Sequence, residues 1–206
     1  MKHILDIKTA GAPLERAEKA LIMIHGRGGS AQDILSLASH LHVDNYALVA
    51  PQATHQTWYP YSFMAPVEQN EPWLSSAIDI VSKTVEKVQK EGIKPENIYF
   101  FGFSQGACLT LEFLARNAQR FGGAAAIIGG VIGDKINRDH YKGNFENTPV
   151  LIATSNPDFH VPVERVYATT NILKEMGADV TEKVYPNFGH SINQEELELA
   201  NTLIFK

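Results

Sequence analysis

IYFFGFSQGACLTLEFL, residues 98–114, is the stretch on which the fold turns. Ile98, Tyr99, Phe100 and Phe101 form an apolar, aromatic run of the kind found in a strand buried on both faces. Residues 107–116 place Leu, Phe and Ala at helical spacing. Between the two lies Gly102-Phe103-Ser104-Gln105-Gly106, a G-x-S-x-G elbow. Such a turn holds its serine in a strained backbone conformation, and strand and helix pass so closely that the positions two residues to either side must have almost no side chain. Gly102 and Gly106 meet that demand. Chance alone yields this pentapeptide in roughly one chain in twenty of this length. Its place at a strand-to-helix switch is what makes Ser104 a candidate nucleophile, raised above the carboxyl edge of a parallel sheet with the N–H groups of a helix beneath it.

The rest of the composition narrows the classes. The chain of 206 residues fits one domain and is long enough to bury a substantial core. Its 44% hydrophobic and 20% charged residues are ordinary globular values. A net charge of −5 with no cluster of Lys and Arg argues against a nucleic-acid partner. Cys108 is the only cysteine, so no intrachain disulfide forms, and its position on the helix after the elbow reads as a buried structural thiol. The first twenty residues lack the apolar core of a signal peptide, and the apolar run 124–132 is too short to span a bilayer. A cytoplasmic location without stable membrane insertion is therefore expected.

Working outward, Leu21-Ile22-Met23-Ile24 reads as a buried strand that runs into His25-Gly26-Arg27-Gly28-Gly29-Ser30 and then a helical pattern from Ile34 to Leu41. The glycine loop lacks the Gly-Lys-Ser/Thr ending of a phosphate-binding loop, and the third glycine of a dinucleotide fingerprint would fall on Ala31. It suits an oxyanion loop, with the Arg27 N–H aimed at developing charge and His25 as a structural brace. Residues 46–51 read as the next strand, and residues 73–89 as an amphipathic helix. Between these two, residues 52–72 show no regular period but carry Trp58, Tyr59, Tyr61, Phe63 and Met64, the makings of an acyl- or aromatic-binding wall or flap. Strands are expected at 124–130, 150–154 and 180–185, with helices at 163–176 and 194–205. Strands separated by helices in this way predict a doubly wound, mostly parallel α/β sheet with helices on both faces. Ligands bind at the carboxyl ends of such strands.

A serine hydroxyl needs an adjacent base, and the base needs a partner that fixes its tautomer. Eight histidines compete for the role. His3, His40 and His42 fall outside strand-end loops, His55 and His140 lie in irregular segments, His25 precedes the glycine loop, and His160 is two residues from Asp158. His190 follows the last strand in a Gly-His loop. Asp158 lies just beyond the 150–154 strand, with Asp134 the alternative acid. The order Ser104, Asp158, His190 is the nucleophile, acid, base order of the α/β-hydrolase fold. Gln105, directly after the nucleophile, offers the second oxyanion N–H.

These motifs together resemble the carboxylesterase/phospholipase group of α/β-hydrolases, to which acyl-protein thioesterases belong. The likeness is carried by IHGRGG at 24–29, GFSQGA at 102–107, the 158–162 segment ending in Val-Pro, and FGHSI at 188–192. It implies an α/β-hydrolase domain with little or no cap, nucleophile Ser104, acid Asp158, base His190 and oxyanion donors Arg27 and Gln105. Ala107 stands where thioesterases of the group have a second glycine, and Arg27 where an apolar residue is common.

The expected activity is hydrolysis of carboxylic esters, or of thioesters or lysophospholipids, through an acyl-enzyme and with no cofactor or metal. Trp58, Tyr59, Phe63 and Phe159 are the expected substrate-binding residues, and the Arg27 guanidinium is a candidate grip on a substrate carboxylate. A lactone or aromatic-ester hydrolase and a non-catalytic ligand-binding protein are the competing readings. The chain is expected to act on a small-molecule ester as a monomer or homodimer.

Overall fold

The computed structural model describes residues 2–206. Its centre is a seven-stranded sheet built from β1 (Ile7–Gly11), β2 (Lys19–Ile24), β3 (Tyr46–Pro51), β4 (Ile98–Phe103), β5 (Gly123–Ile127), β6 (Pro149–Asn156) and β7 (Asp179–Pro186). The spatial order is β1-β3-β2-β4-β5-β6-β7. All neighbours are parallel except β1, which pairs antiparallel with β3. β4 sits in the middle, with Ile98, Phe100 and Phe101 sealed from solvent. A strand covered on both faces has no polar side to present, which is why β2, β3 and β4 read as continuous apolar runs.

Among the described residues the α-helices are α1 (Ala31–Ser36), α2 (Val67–Asn70), α3 (Trp73–Lys90), α4 (Gln105–Arg116), α5 (Val163–Glu175) and α6 (Gln194–Leu203), of which all but the single turn of α2 pack on the sheet. From β2 onward the chain reverses direction across the sheet once, running out to β3 and then back past β2 to β4 and beyond. With right-handed crossovers that reversal puts α1 on one face and α3, α4 and α5 on the other. Asn201 joins α6 to the α1 side by accepting from the His42 N–H (2.7 Å) and donating to the His40 carbonyl (2.9 Å). Among the described residues no helix is long and apolar enough to cross a membrane.

Two features depart from the expected pattern. β1 carries almost entirely exposed side chains, so it has no apolar alternation to betray it; the backbone of β3 recruits it as an edge strand. The 52–72 segment is not wholly irregular, since it holds a 3-10 turn at Thr54–Gln56 and the single turn of α2.

The start of α6 supplies a pH prediction. Asn193 caps it in a reciprocal box: its side chain accepts from the Glu196 N–H (2.9 Å), and Glu196 accepts from the Asn193 N–H (2.8 Å). Burial pushes the Glu196 carboxyl up to about 7, against the pull of the Asn193 N–H and with help from the neighbouring Glu195 charge. Folding therefore takes up a proton between the ordinary carboxylate range and pH 7. This contribution is fully present in acid and is lost as pH rises through 7. Glu196→Gln keeps the capping acceptor without the charge. It should raise stability relative to the parent by about 1–2 kcal/mol at pH 8 and by little at pH 5, read from paired thermal melts. A difference independent of pH would contradict this.

Candidate active site

The carboxyl ends of β2, β4, β6 and β7 converge on one edge of the sheet, and each delivers a loop to it. Ser104 follows β4 with φ 54° and ψ −119°, a conformation that only a tightly determined turn sustains in a non-glycine residue. The turn is determined by its neighbours. A Cβ on Gly106 would lie 2.1 Å from the Ile24 carbonyl oxygen, and one on Gly102 would lie 2.6 Å from that of Gly106. Strand β2 and helix α4 thus touch backbone to backbone, and the serine is levered out between them.

The Ser104 hydroxyl is 2.7 Å from His190 Nε2, and His190 Nδ1 is 2.8 Å from Asp158 Oδ2. Asp158 is sealed from solvent and His190 mostly so. Burial works against the Asp158 charge, but hydrogen bonds from the His160 N–H, the His190 ring and the Val161 N–H outweigh it and hold the carboxyl below its ordinary value. Both backbone donors, each at 2.8 Å, are taken by Oδ1, which leaves Oδ2 for the imidazole. Asp134, the alternative acid, is exposed on the loop after β5; its carbonyl accepts from Arg165.

The loop after β2 supplies the facing wall. His25 is buried, and its tautomer follows from its partners: the Ala53 N–H donates to Nε2 (3.1 Å), so Nδ1 carries the proton and donates to the Gly26 carbonyl (2.7 Å). Burial lowers its pKa and keeps it neutral. The Gly28 N–H is anchored on the Gln56 carbonyl (2.7 Å). Neither the Arg27 N–H nor the Gln105 N–H has an acceptor among the described residues. The second of these opens α4, where the helix dipole favours negative charge.

A cavity of about 740 Å³ opens over these groups. Tyr59, Phe63 and Phe159 border it; Tyr59 and Phe63 are buried in its wall, and Phe159 is almost wholly exposed. Cys108 also faces it, with burial pushing the thiol up to about 12, so that it stays protonated. Trp58 does not belong to this wall. It is completely buried, donates its indole N–H to the His25 carbonyl (2.8 Å) and packs at a tilt against the His25 ring, with centroids 5.0 Å apart. The expectation that it contacts substrate is corrected on that account: the aromatic count of the loop carries no information about which side of the backbone each ring takes.

The Arg27 guanidinium is likewise engaged. It donates to Thr57 Oγ1 (2.9 Å) and to the carbonyls of Pro60 (3.0 Å) and Tyr61 (2.7 Å). The Gln105 side chain holds the same segment from below, accepting from the Trp58 N–H (2.9 Å) and donating to the Tyr59 carbonyl (2.8 Å). Buried Asn70 closes it from within by accepting from the Tyr61 N–H and donating to the Ser62 carbonyl, both at 2.9 Å. Residues 57–62 are therefore a pinned wall. Among the described residues no group of three or more His, Cys, Asp or Glu side chains is arranged to hold a metal ion.

Ser155 is a positioning residue that sequence patterns do not single out. Buried at the end of β6, its hydroxyl accepts from the N–H groups of Phe188 (3.0 Å) and Gly189 (2.9 Å), and so ties the His190 loop to the strand that carries Asp158. Ser155→Ala strands two donors and loosens the imidazole. Turnover should fall about 10–100-fold with KM little changed, and stability should fall by about 1–3 kcal/mol. Steady-state kinetics beside a thermal melt would check this, and loss of stability at full kcat would contradict the positioning role.

Residues 6–206 match the Phospholipase/Carboxylesterase family. A crystal structure of a phospholipase/carboxylesterase from Dyadobacter fermentans is 51% identical, with a TM-score of 0.99 over 100% of this chain and 99% of that one. A probable carboxylesterase, SOBER1-like, from Arabidopsis thaliana is 30% identical over 75% of this chain, and the matched part spans 58% of that relative's length. Acyl-protein thioesterase 1 of Aspergillus fumigatus is 28% identical over 90% of this chain and 86% of its own. With the matched region taking in nearly every residue from β1 to the C-terminus, the chain belongs to the phospholipase/carboxylesterase family of α/β-hydrolases.

Proposed function

We propose that the protein is a serine hydrolase that cleaves carboxylic esters, and thioesters of similar shape, through an acyl-enzyme. The observation that carries this reading is the unbroken hydrogen-bonded line from the Ser104 hydroxyl through both nitrogens of His190 to buried, ionised Asp158. His190 Nε2 takes the hydroxyl proton as Ser104 Oγ attacks the carbonyl carbon. Asp158 fixes the tautomer with the proton on Nδ1 and stabilises the imidazolium. The oxyanion is met by the free N–H groups of Arg27 and Gln105, one such donor contributing about 3–4 kcal/mol to transition-state stabilisation. His190 then protonates the departing oxygen or sulfur, and water repeats the sequence to release the acid.

The wall of Tyr59 and Phe63 suits an acyl group with apolar character, and Phe159 at the mouth suits contact with a longer one. Trp58 and Gln105 act by holding that wall in place. Rates on matched oxygen esters, thioesters and lactones with a common acyl group test the substrate class. Turnover of the linear esters supports the reading. Turnover of lactones alone would favour the competing one.

A further inference from the structure

The acyl transfer just described uses one cavity, but the same imidazole borders a second. It has a volume of about 430 Å³, within the range of small-ligand sites, and the apolar part of its wall is Ile34, Leu37, Phe103 and Ile192. The Phe103 ring packs against His190 at 5.7 Å. Ser104 and Gln105 border the first cavity and not the second; His190 and Arg27 border both. We propose that the second cavity receives the leaving group of the substrate, and that this group is an apolar alcohol. The inference rests on the serine-hydrolase reading above.

The assignment follows from where each atom of a tetrahedral intermediate must sit. The carbonyl carbon is bonded to Ser104 Oγ and its oxygen faces the N–H of Gln105, so the acyl substituent occupies the cavity that those residues line. The leaving oxygen must meet His190 Nε2, and its substituent must diverge from the acyl chain beside the imidazole. The space that starts at the imidazole without touching Ser104 is the second cavity. During acylation the Oγ–C bond forms and the hydroxyl proton passes to Nε2. The bond from carbon to the alkoxy oxygen then breaks, and that oxygen departs with the same proton as a neutral alcohol. The path also runs backward: an alcohol in this cavity gives its proton to Nε2, attacks the acyl-enzyme carbon and returns Ser104 its proton. Asp33 and Arg27 both border the cavity, Asp33 held by Ser30 and Arg27 by the 57–61 segment, so the apolar walls decide: a carboxylate on the alcohol would lose its hydration there without a free partner.

The test uses butyrate esters of methanol, butanol, hexanol and 6-hydroxyhexanoate. These primary alcohols leave with similar intrinsic ease, so differences in kcat/KM report binding. The value is expected to rise about two- to fourfold per methylene up to a limit, and to fall for the carboxylate-bearing alcohol. Added 1-hexanol should also divert the butyryl-enzyme to hexyl butyrate more effectively per mole than methanol diverts it to methyl butyrate. Leu37→Trp, which fills the cavity from its half-exposed edge, should cut the hexyl-to-methyl ratio at least tenfold; Ile192→Trp probes the opposite wall if the first variant does not fold. Equal kcat/KM for methyl and hexyl esters, or a ratio that survives both variants, would overturn the inference while leaving the serine hydrolase intact. No turnover of any ester, with Ser104 unreactive to a fluorophosphonate, would instead remove the parent reading.

Discussion

Ser104→Ala is expected to lower kcat/KM for ester hydrolysis by about 10⁶-fold while the protein stays folded. The loss is large because the hydroxyl and the imidazole act as a unit. At 2.7 Å from Nε2 the hydroxyl is already in place to hand over its proton, and without it His190 has nothing to activate except water. The free N–H groups of Arg27 and Gln105 should leave a residual rate about 10³-fold above the uncatalysed one. For the same reason His190→Ala should cost about as much as Ser104→Ala, and the double variant hardly more than either. Multiplying losses would show that the two side chains work separately. Thermal melts guard the interpretation, because alanine must adopt the same positive φ at the elbow.

Asp158→Asn is the more informative change, expected to lower kcat by about 10⁴-fold with little change in shape. An amide in this position is not free to choose its orientation. The N–H groups of His160 and Val161 both point at Oδ1, so the amide oxygen must stay there and the amide nitrogen must take the place of Oδ2. A donor then faces His190 Nδ1, which is forced to accept. The proton moves to Nε2, and the nitrogen that should receive the serine proton is already occupied. The parent Asp158 carboxyl is held below its ordinary value, so it stays ionised through the neutral range, and its stabilising contribution is lost only as the pH drops through that lowered value. Activity of the variant should therefore recover as pH rises and hydroxide strips Nε2. A full rate at pH 7 would mean that Asp158 does not set the tautomer.

Much of this geometry was legible in the residues because the constraints behind it are local. The elbow must have glycine at 102 and 106, since any Cβ there meets a backbone oxygen. Parallel strands covered on both faces must be apolar throughout, so β2, β3, β4 and β6 stood out, and the ends of β4, β6 and β7 pointed to Ser104, Asp158 and His190. What stayed hidden is decided by contacts between distant segments. β1 is exposed from Lys8 to Gly11 and, apart from Ile7, joins the sheet through backbone pairing with β3. Trp58 and Tyr59 are adjacent and equally aromatic, yet one braces His25 and the other lines the cavity, a choice made by the Gln105 side chain from 46 and 47 residues away. Ser155 sits inside an apolar strand as one more small residue until the 188–189 backbone arrives to use it. The Arg27 side chain reads as a free cation in sequence, but its charge is spent on holding the 57–61 wall.

The most direct test is to treat the intact protein with a fluorophosphonate and locate the adduct by peptide mass. Stoichiometric phosphonylation of Ser104 is expected, abolished in Ser104→Ala, sharply slowed in His190→Ala and Asp158→Asn, and accompanied by complete loss of esterase activity. A protein that stays unlabelled, or that hydrolyses esters at its full rate with Ser104 blocked, would contradict it.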